Sequence, residues 1–159
     1  MQFSHLIQIN DPFNPLIDPL SREQLWRGLV LRAENPLLFV IALDGFEIVE
    51  RGDNMLAREL RFGKLTLRDR IRFEPMKQVR YEIEAVGDSP AATLVMTIEE
   101  PEPEQLFVRF DYETLQGDTA APIDEFYSSF AKQACVEADI DTVSTIRRLA
   151  LEQGGPGTP

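Results

Sequence analysis

One cysteine and one histidine occur in the chain, Cys135 and His5. An internal disulfide is thereby excluded, and so are zinc sites built from several Cys or His ligands. No apolar run approaches the ~20 residues that a membrane-spanning helix needs. Positive charge is scarce: 16 Lys and Arg stand against 27 Asp and Glu, a formal net charge of −11 in 159 residues. That balance repels nucleic-acid phosphates and anionic membrane surfaces, so neither nucleic acid nor membrane insertion is expected. The opening MQFSHLIQIND has no basic leader followed by a long apolar stretch, and a cytoplasmic location is the expectation. Also missing are GxSxG, a Walker loop, the dinucleotide fingerprint, HExxH and CxxC. Nothing in the sequence calls for a metal or any other cofactor.

What is present is a change of period along the chain. Residues 3–10, FSHLIQIN, alternate as a first strand. A Pro- and Asn-rich loop leads to SREQLWRGLVLRAEN, where Ser21 followed by Gln24 is a capping-box signature and Leu25 and Leu29 begin an apolar stripe. Pro36 suits the first turn of a second short helix, PLLFVIA. Six strands follow with period two, at about 44–51, 55–62, 65–74, 78–86, 92–100 and 105–114, separated by Gly, Pro, Asn and Asp turns. Short connections make successive strands antiparallel neighbours. A long helix spans PIDEFYSSFAKQACVEADIDTVSTIRRLALEQ, with Pro122, Asp124 and Glu125 near its start and Gly154 just past its end. One domain over 1–153 is expected, with 154–159 a disordered tail. The fold class is α+β: a curved seven-stranded antiparallel sheet wrapped around a long C-terminal helix, with two short helices after strand 1.

Within LARELRFGKLTLRDRIRF, residues 56–73, two charges interrupt an otherwise apolar face, Arg58 and Asp69. Gly63-Lys64 reads as a two-residue type II′ hairpin. That turn sets Leu60 opposite Leu67, Leu56 opposite Ile71, and Arg58 opposite Asp69. A slip of one residue would turn Arg68, Arg70 and Arg72 inward. An inward ion pair must be fully satisfied or must face a wet or ligand-filled cavity, because a lone buried charge costs several kcal/mol. Three roles remain open for the pair: stabilising the sheet, orienting a polar part of a ligand, or catalysis.

The rest of the expected lining is apolar. It comprises Leu60, Leu67, Ile71, Tyr81, Ile83, Met96, Phe110 and Tyr112 from the strands. The long helix adds an inward stripe of bulky Ile123, Phe126, Tyr127 and Phe130 and small Ala131, Ala134, Cys135 and Ala138. Small residues opposite a concave sheet leave volume, though they equally permit close packing. A Cys135–His5 dyad is formally available, but Cys in a helical stripe is usually a small buried hydrophobe. His5 alternates with Phe3, Ile7 and Ile9 and reads more simply as a satisfied structural histidine. Trp26 is expected to pack its helix against the sheet rim. The run Glu99-Glu100-Pro101-Glu102-Pro103-Glu104 reads as a solvated turn.

The element order resembles the START or SRPBCC helix-grip superfamily, the birch-pollen-allergen-like fold, over about residues 1–150. More narrowly, HLIQIND, LSREQLWRGLVLRAENP and DEFYSSFAKQACVEADIDTVSTIRRL resemble its AtaL-like subgroup. The resemblance carries over no catalytic residue. It implies a cavity between sheet and long helix for a hydrophobic or aromatic small molecule, such as a lipid or polyketide. Three functions follow as expectations: a ligand-binding protein, with the small molecule as partner; a cyclase or aromatase using Arg58 and Asp69; or a protein-interaction module with a vestigial cavity. The oligomeric state stays open, a homodimer being one option.

Overall fold

The computed structural model describes residues 2–115 and 125–153, with only the helical backbone given for 125–128. Strand β1 (Gln2–Asn10) is followed by helix α1 (Arg22–Glu34) and a single 3-10 turn at Pro36–Leu38. Strands β2 (Gly45–Gly52), β3 (Met55–Phe62), β4 (Leu65–Glu74), β5 (Gln78–Ile83), β6 (Ala91–Glu99) and β7 (Leu106–Leu115) form the meander. Helix α2 (Glu125–Glu152) closes the described chain. The seven strands make one antiparallel sheet in the order β1-β7-β6-β5-β4-β3-β2.

The Gly63-Lys64 hairpin has the expected register, Phe62 opposite Leu65 through Arg58 opposite Asp69. Gly63 takes φ +59°, the positive value that the first central position of a type II′ turn requires. Two expectations need adjusting. The second helix is one 3-10 turn, since the backbone turns again after Phe39, with Leu43 N–H donating to Val40 C=O. Strand β5 stops at Ile83 rather than 86, because Val86 and Ser89 pair with each other across a tight turn. The expected tail, 154–159, lies outside the described residues.

The caps of α1 explain its limits. Ser21 Oγ accepts from Gln24 N–H at 3.0 Å, and Gln24 Oε1 accepts from Ser21 N–H at 2.8 Å. Both α1 and α2 lie against the concave face of the sheet. Leu25, Leu29 and Ala33 of α1 join Val143, Ile146 and Ala150 of α2 in one buried cluster with Val79, Met96, Val108 and Phe110. The helices approach closely at Gly28, where a Cβ would sit 2.5 Å from Ile146 Cγ2. Trp26 packs edge-on to Phe73 with ring centroids 6.4 Å apart, on the sheet side as expected. The acidic turn is partly tied down, since Glu99 pairs with Arg109 at 2.5 Å and Glu100 with Arg22 at 3.4 Å.

Coverage of the concave face is uneven. In one half of the sheet Ile71, Val79, Met96, Val108 and Phe110 are all 0% exposed beneath the helices. The starts of β1, β2, β4 and β6 and the ends of β3, β5 and β7 form the other half. There the inward side chains Phe3, Phe46, Phe62, Leu67, Ile83 and Tyr112 are only half-buried.

Candidate functional site

Polar side chains gather where the packed half of the concave face meets the half-covered one. Arg58 and Asp69 are there, 4% and 6% exposed. The guanidinium grips the carboxylate with two bonds, Nε to Oδ1 at 2.9 Å and Nη2 to Oδ2 at 2.5 Å. Its Nη1 donates to Ala33 C=O at 2.9 Å. That carbonyl lies in the last turn of α1, where helix carbonyls lack an intrahelical donor and carry partial negative charge. Arg58 therefore ties α1 to the sheet as well as pairing β3 with β4. Three of its five N–H donors are used within the protein.

Tyr81, paired with Ile71 on β4 and Leu94 on β6, stands beside Arg58. Two guanidinium groups lie over its ring, with Arg58 Cζ 5.5 Å and Arg32 Cζ 5.1 Å from the centroid. Arg32 comes from α1 and its Nε donates to Thr142 Oγ1 of α2 at 3.3 Å. Tyr81 is 2% exposed, and its hydroxyl meets no hydrogen-bond partner among the described residues.

The third group centres on Asp139 of α2, 1% exposed. The Tyr112 hydroxyl donates to it, with both carboxylate oxygens 2.7 Å away. His5 Nε2 stands 2.7 Å from its Oδ2. His5 stacks on Phe110 at 5.2 Å and on Phe3 at 5.3 Å, which fixes the imidazole plane. Burial raises the Asp139 carboxyl above its ordinary value, against the hydrogen bonds of Tyr112 and His5 and the charges of His5 and Arg32. Burial and then the Asp139 charge push the Tyr112 phenol far above its usual range. The same two causes, in the same order, raise the Cys135 thiol.

A raised carboxyl in the folded state contributes stability below its ordinary pKa and loses it as pH rises through the raised one. Asp139→Asn keeps the shape and an acceptor for Tyr112 while removing the charge. Wild type should therefore lose stability relative to Asp139→Asn across that window, by up to ~1.4 kcal/mol per pH unit. Urea denaturation of both proteins from mildly acidic to neutral pH measures it, and a constant difference would contradict the raised carboxyl.

The residues expected to line a cavity separate into two sets. Leu60, Ile71, Tyr81, Met96 and Phe110 are buried on the concave face, with Leu67, Ile83 and Tyr112 half-buried there. Phe130 and Ala134 are exposed, Phe130 by 62%, which corrects their assignment to the lining. At 3.6 residues per turn, Ala134 lies ~140° and Phe130 ~180° around the helix from Asp139. Asp139, Thr142, Val143 and Ile146 set the buried face of α2. Of the expected inward stripe, Ala138 is likewise exposed, while Ala131 and Cys135 are half-buried. Ile123 and the side chains of Phe126 and Tyr127 lie outside the described residues.

The Cys135–His5 dyad, disfavoured by the sequence, has no support in the geometry. His5 Nε2 is taken by Asp139, and the raised thiol is the opposite of what a nucleophilic cysteine needs. Sequence reasoning missed Arg32 and Asp139. The available signal for Asp139 was helical phase, since it falls one turn before Val143 and two turns before Ile146.

Among the described residues no group of three His, Cys, Asp or Glu could hold a metal ion. Among them, too, no helix is long and apolar enough to cross a membrane.

Comparison with known proteins bears on this arrangement. Residues 7–153 match the family described as AtaL, acetylaranotin biosynthesis cluster protein L. A comparison with curated proteins found no match. Among solved structures, the di-domain aromatase/cyclase StfQ from the steffimycin biosynthetic pathway superposes with a TM-score of 0.70 at 11% identity, over 96% of this chain and 52% of its own. The chain thus spans about half the length of StfQ. The Zhui aromatase/cyclase from Streptomyces sp. R1128 gives a TM-score of 0.58 at 15% identity, covering 92% of this chain and 90% of its own. Ara h 8.0201 gives 0.59 at 15% identity, covering 92% and 97%. At such identities the three likenesses show a shared fold. With a family match over nearly its whole length, and a sheet and terminal helix arranged as a helix grip, the chain belongs to the AtaL family.

Proposed function

We propose that the protein binds a small hydrophobic or aromatic molecule against the half-covered end of the concave face. The observation that carries this reading is the pairing of two features at one place. Apolar side chains are half-exposed on a concave wall, and a small set of inward polar groups converges beside them. Apolar burial drives such binding at about 25 cal/mol per Å² removed from water, and a few polar groups fix orientation. The aromatase/cyclases that share the fold make an aromatic ligand the leading class. In this reading Arg58 and Asp69 shape the wall, because their strongest bonds are already made to each other and to α1.

Titration with 2-acetonaphthone, a neutral aromatic ketone, tests the reading by calorimetry. A ligand of this size held by apolar contact should show one site with Kd between about 10 μM and 1 mM. Absence of binding at the solubility limit would contradict the reading.

A cyclase- or aromatase-like reaction is the second reading, favoured by the Tyr112–Asp139–His5 chain. A raised carboxyl bridging a phenol and an imidazole is able to hold and pass a proton. Under that reading Asp139→Asn abolishes turnover while the ketone still binds.

A further inference from the structure

The strongest unassigned feature is the Arg32–Tyr81 corner. Arg32 is half-buried between α1 and α2, where its Nε donates to the neutral Thr142 hydroxyl at 3.3 Å and the Tyr81 hydroxyl lies near enough to act on its guanidinium. Among the described residues no carboxylate comes within salt-bridge distance of its guanidinium, whereas the adjacent Arg58 is neutralised by Asp69 at 2.5 Å. Asp139 acts on Arg32 only through space, and its oxygens are already taken by Tyr112 and His5. The Arg32 guanidinium lies over the Tyr81 ring at 5.1 Å, and among the described residues the buried Tyr81 hydroxyl makes no hydrogen bond of good geometry. A buried hydroxyl without a hydrogen bond carries a desolvation penalty, and a sheltered cation without an anion carries a larger one. Both penalties fall at one corner of the concave face, beside the half-covered wall. One anionic oxygen placed there would relieve them together, taking N–H bonds from Arg32 and the O–H of Tyr81.

We propose that Arg32 and Tyr81 form an anion-accepting subsite, so that the ligand is an aromatic or hydrophobic acid, its carboxylate or enolate oxygen held at this corner. The inference rests on the concave-face binding proposed above and deepens it by naming the charged end of the ligand. The molecule as a whole works against such a preference, since its net charge of −11 repels anions. A preference for the acid must therefore come from a local site.

The test compares 2-naphthoate with 2-naphthamide, two probes of nearly the same shape, at neutral pH by calorimetry. The naphthoate should bind at least about tenfold more tightly to the wild type, as a charge-assisted hydrogen bond to a sheltered guanidinium implies. The preference should shrink to about twofold or less in Arg32→Met, persist in Arg32→Lys, and fall several-fold in Tyr81→Phe. Equal binding of acid and amide to the wild type would overturn the subsite while leaving the concave-face reading intact. A preference that survives Arg32→Met would also overturn it, by placing the anion elsewhere. If neither probe binds, both readings fall. The wild-type comparison needs no variant to fold.

Discussion

Asp69→Ala should lower the stability of the protein by about 3–5 kcal/mol, the penalty for leaving a buried charge without its partner. Arg58 is 4% exposed and would keep its bond to Ala33, but it would lose both contacts to the carboxylate. Arg32 lies over the same Tyr81 ring, so Asp69→Ala would leave two guanidinium groups beside that ring with no carboxylate bonded to either among the described residues, and it should sit at the upper end of that range. Arg58→Ala should be costly too, because it strands Asp69 and frees the Ala33 carbonyl at the end of α1. The double variant Arg58→Met/Asp69→Leu is the informative comparison. Replacing both charges with apolar side chains of similar volume should recover most of the loss. Chemical denaturation monitored by far-UV circular dichroism measures all three. A double variant as unstable as the singles would mean that the pair contributes through more than mutual charge compensation.

The second large effect concerns the half-covered wall. Ile83 ends β5, faces Asp69 on β4 and Ala92 on β6, and is half-buried. Ile83→Trp would put an indole where the ligand is proposed to lie. Binding of 2-acetonaphthone should weaken by more than about tenfold, since the apolar area offered to the ligand is filled by the protein itself. Stability should change little, because the added bulk projects into a region that is not close-packed. A comparable substitution in the packed half, Val79→Trp at 0% exposure, should instead unfold or strongly destabilise the protein. Unchanged affinity in Ile83→Trp would move the binding site off this wall.

Much of the frame was legible because it follows from short-range rules. Period-two patterning placed the strands to within a few residues, and one glycine-first turn fixed the β3–β4 register. Arg58 and Asp69 stood out because a charge on an apolar strand face is conspicuous. The long helix was harder. Its residues are mixed in polarity all round, so a stripe of bulky and small side chains could be drawn at a phase that places Phe130 and Ala134 inward. The buried face instead carries Asp139 and Thr142, polar residues whose satisfaction depends on His5, Tyr112 and Arg32 from distant segments. No local pattern encodes such partners. Arg32 was hidden for the same reason: in the last turn of α1 a basic residue is the ordinary helix-dipole choice, and only the approach of the Tyr81 ring sets it apart.

The central claim is a location, the half-covered end of the concave face, and methyl chemical-shift mapping tests it most directly. On titration with 2-acetonaphthone the largest perturbations should fall on the methyls of Leu67 and Ile83, with the methyl of Met96 in the packed half moving less. Shifts confined to the outer cleft of 680 Å³ bordered by Asn10, Ile17, Leu20 and Leu106, with the concave-face methyls unmoved, would contradict it.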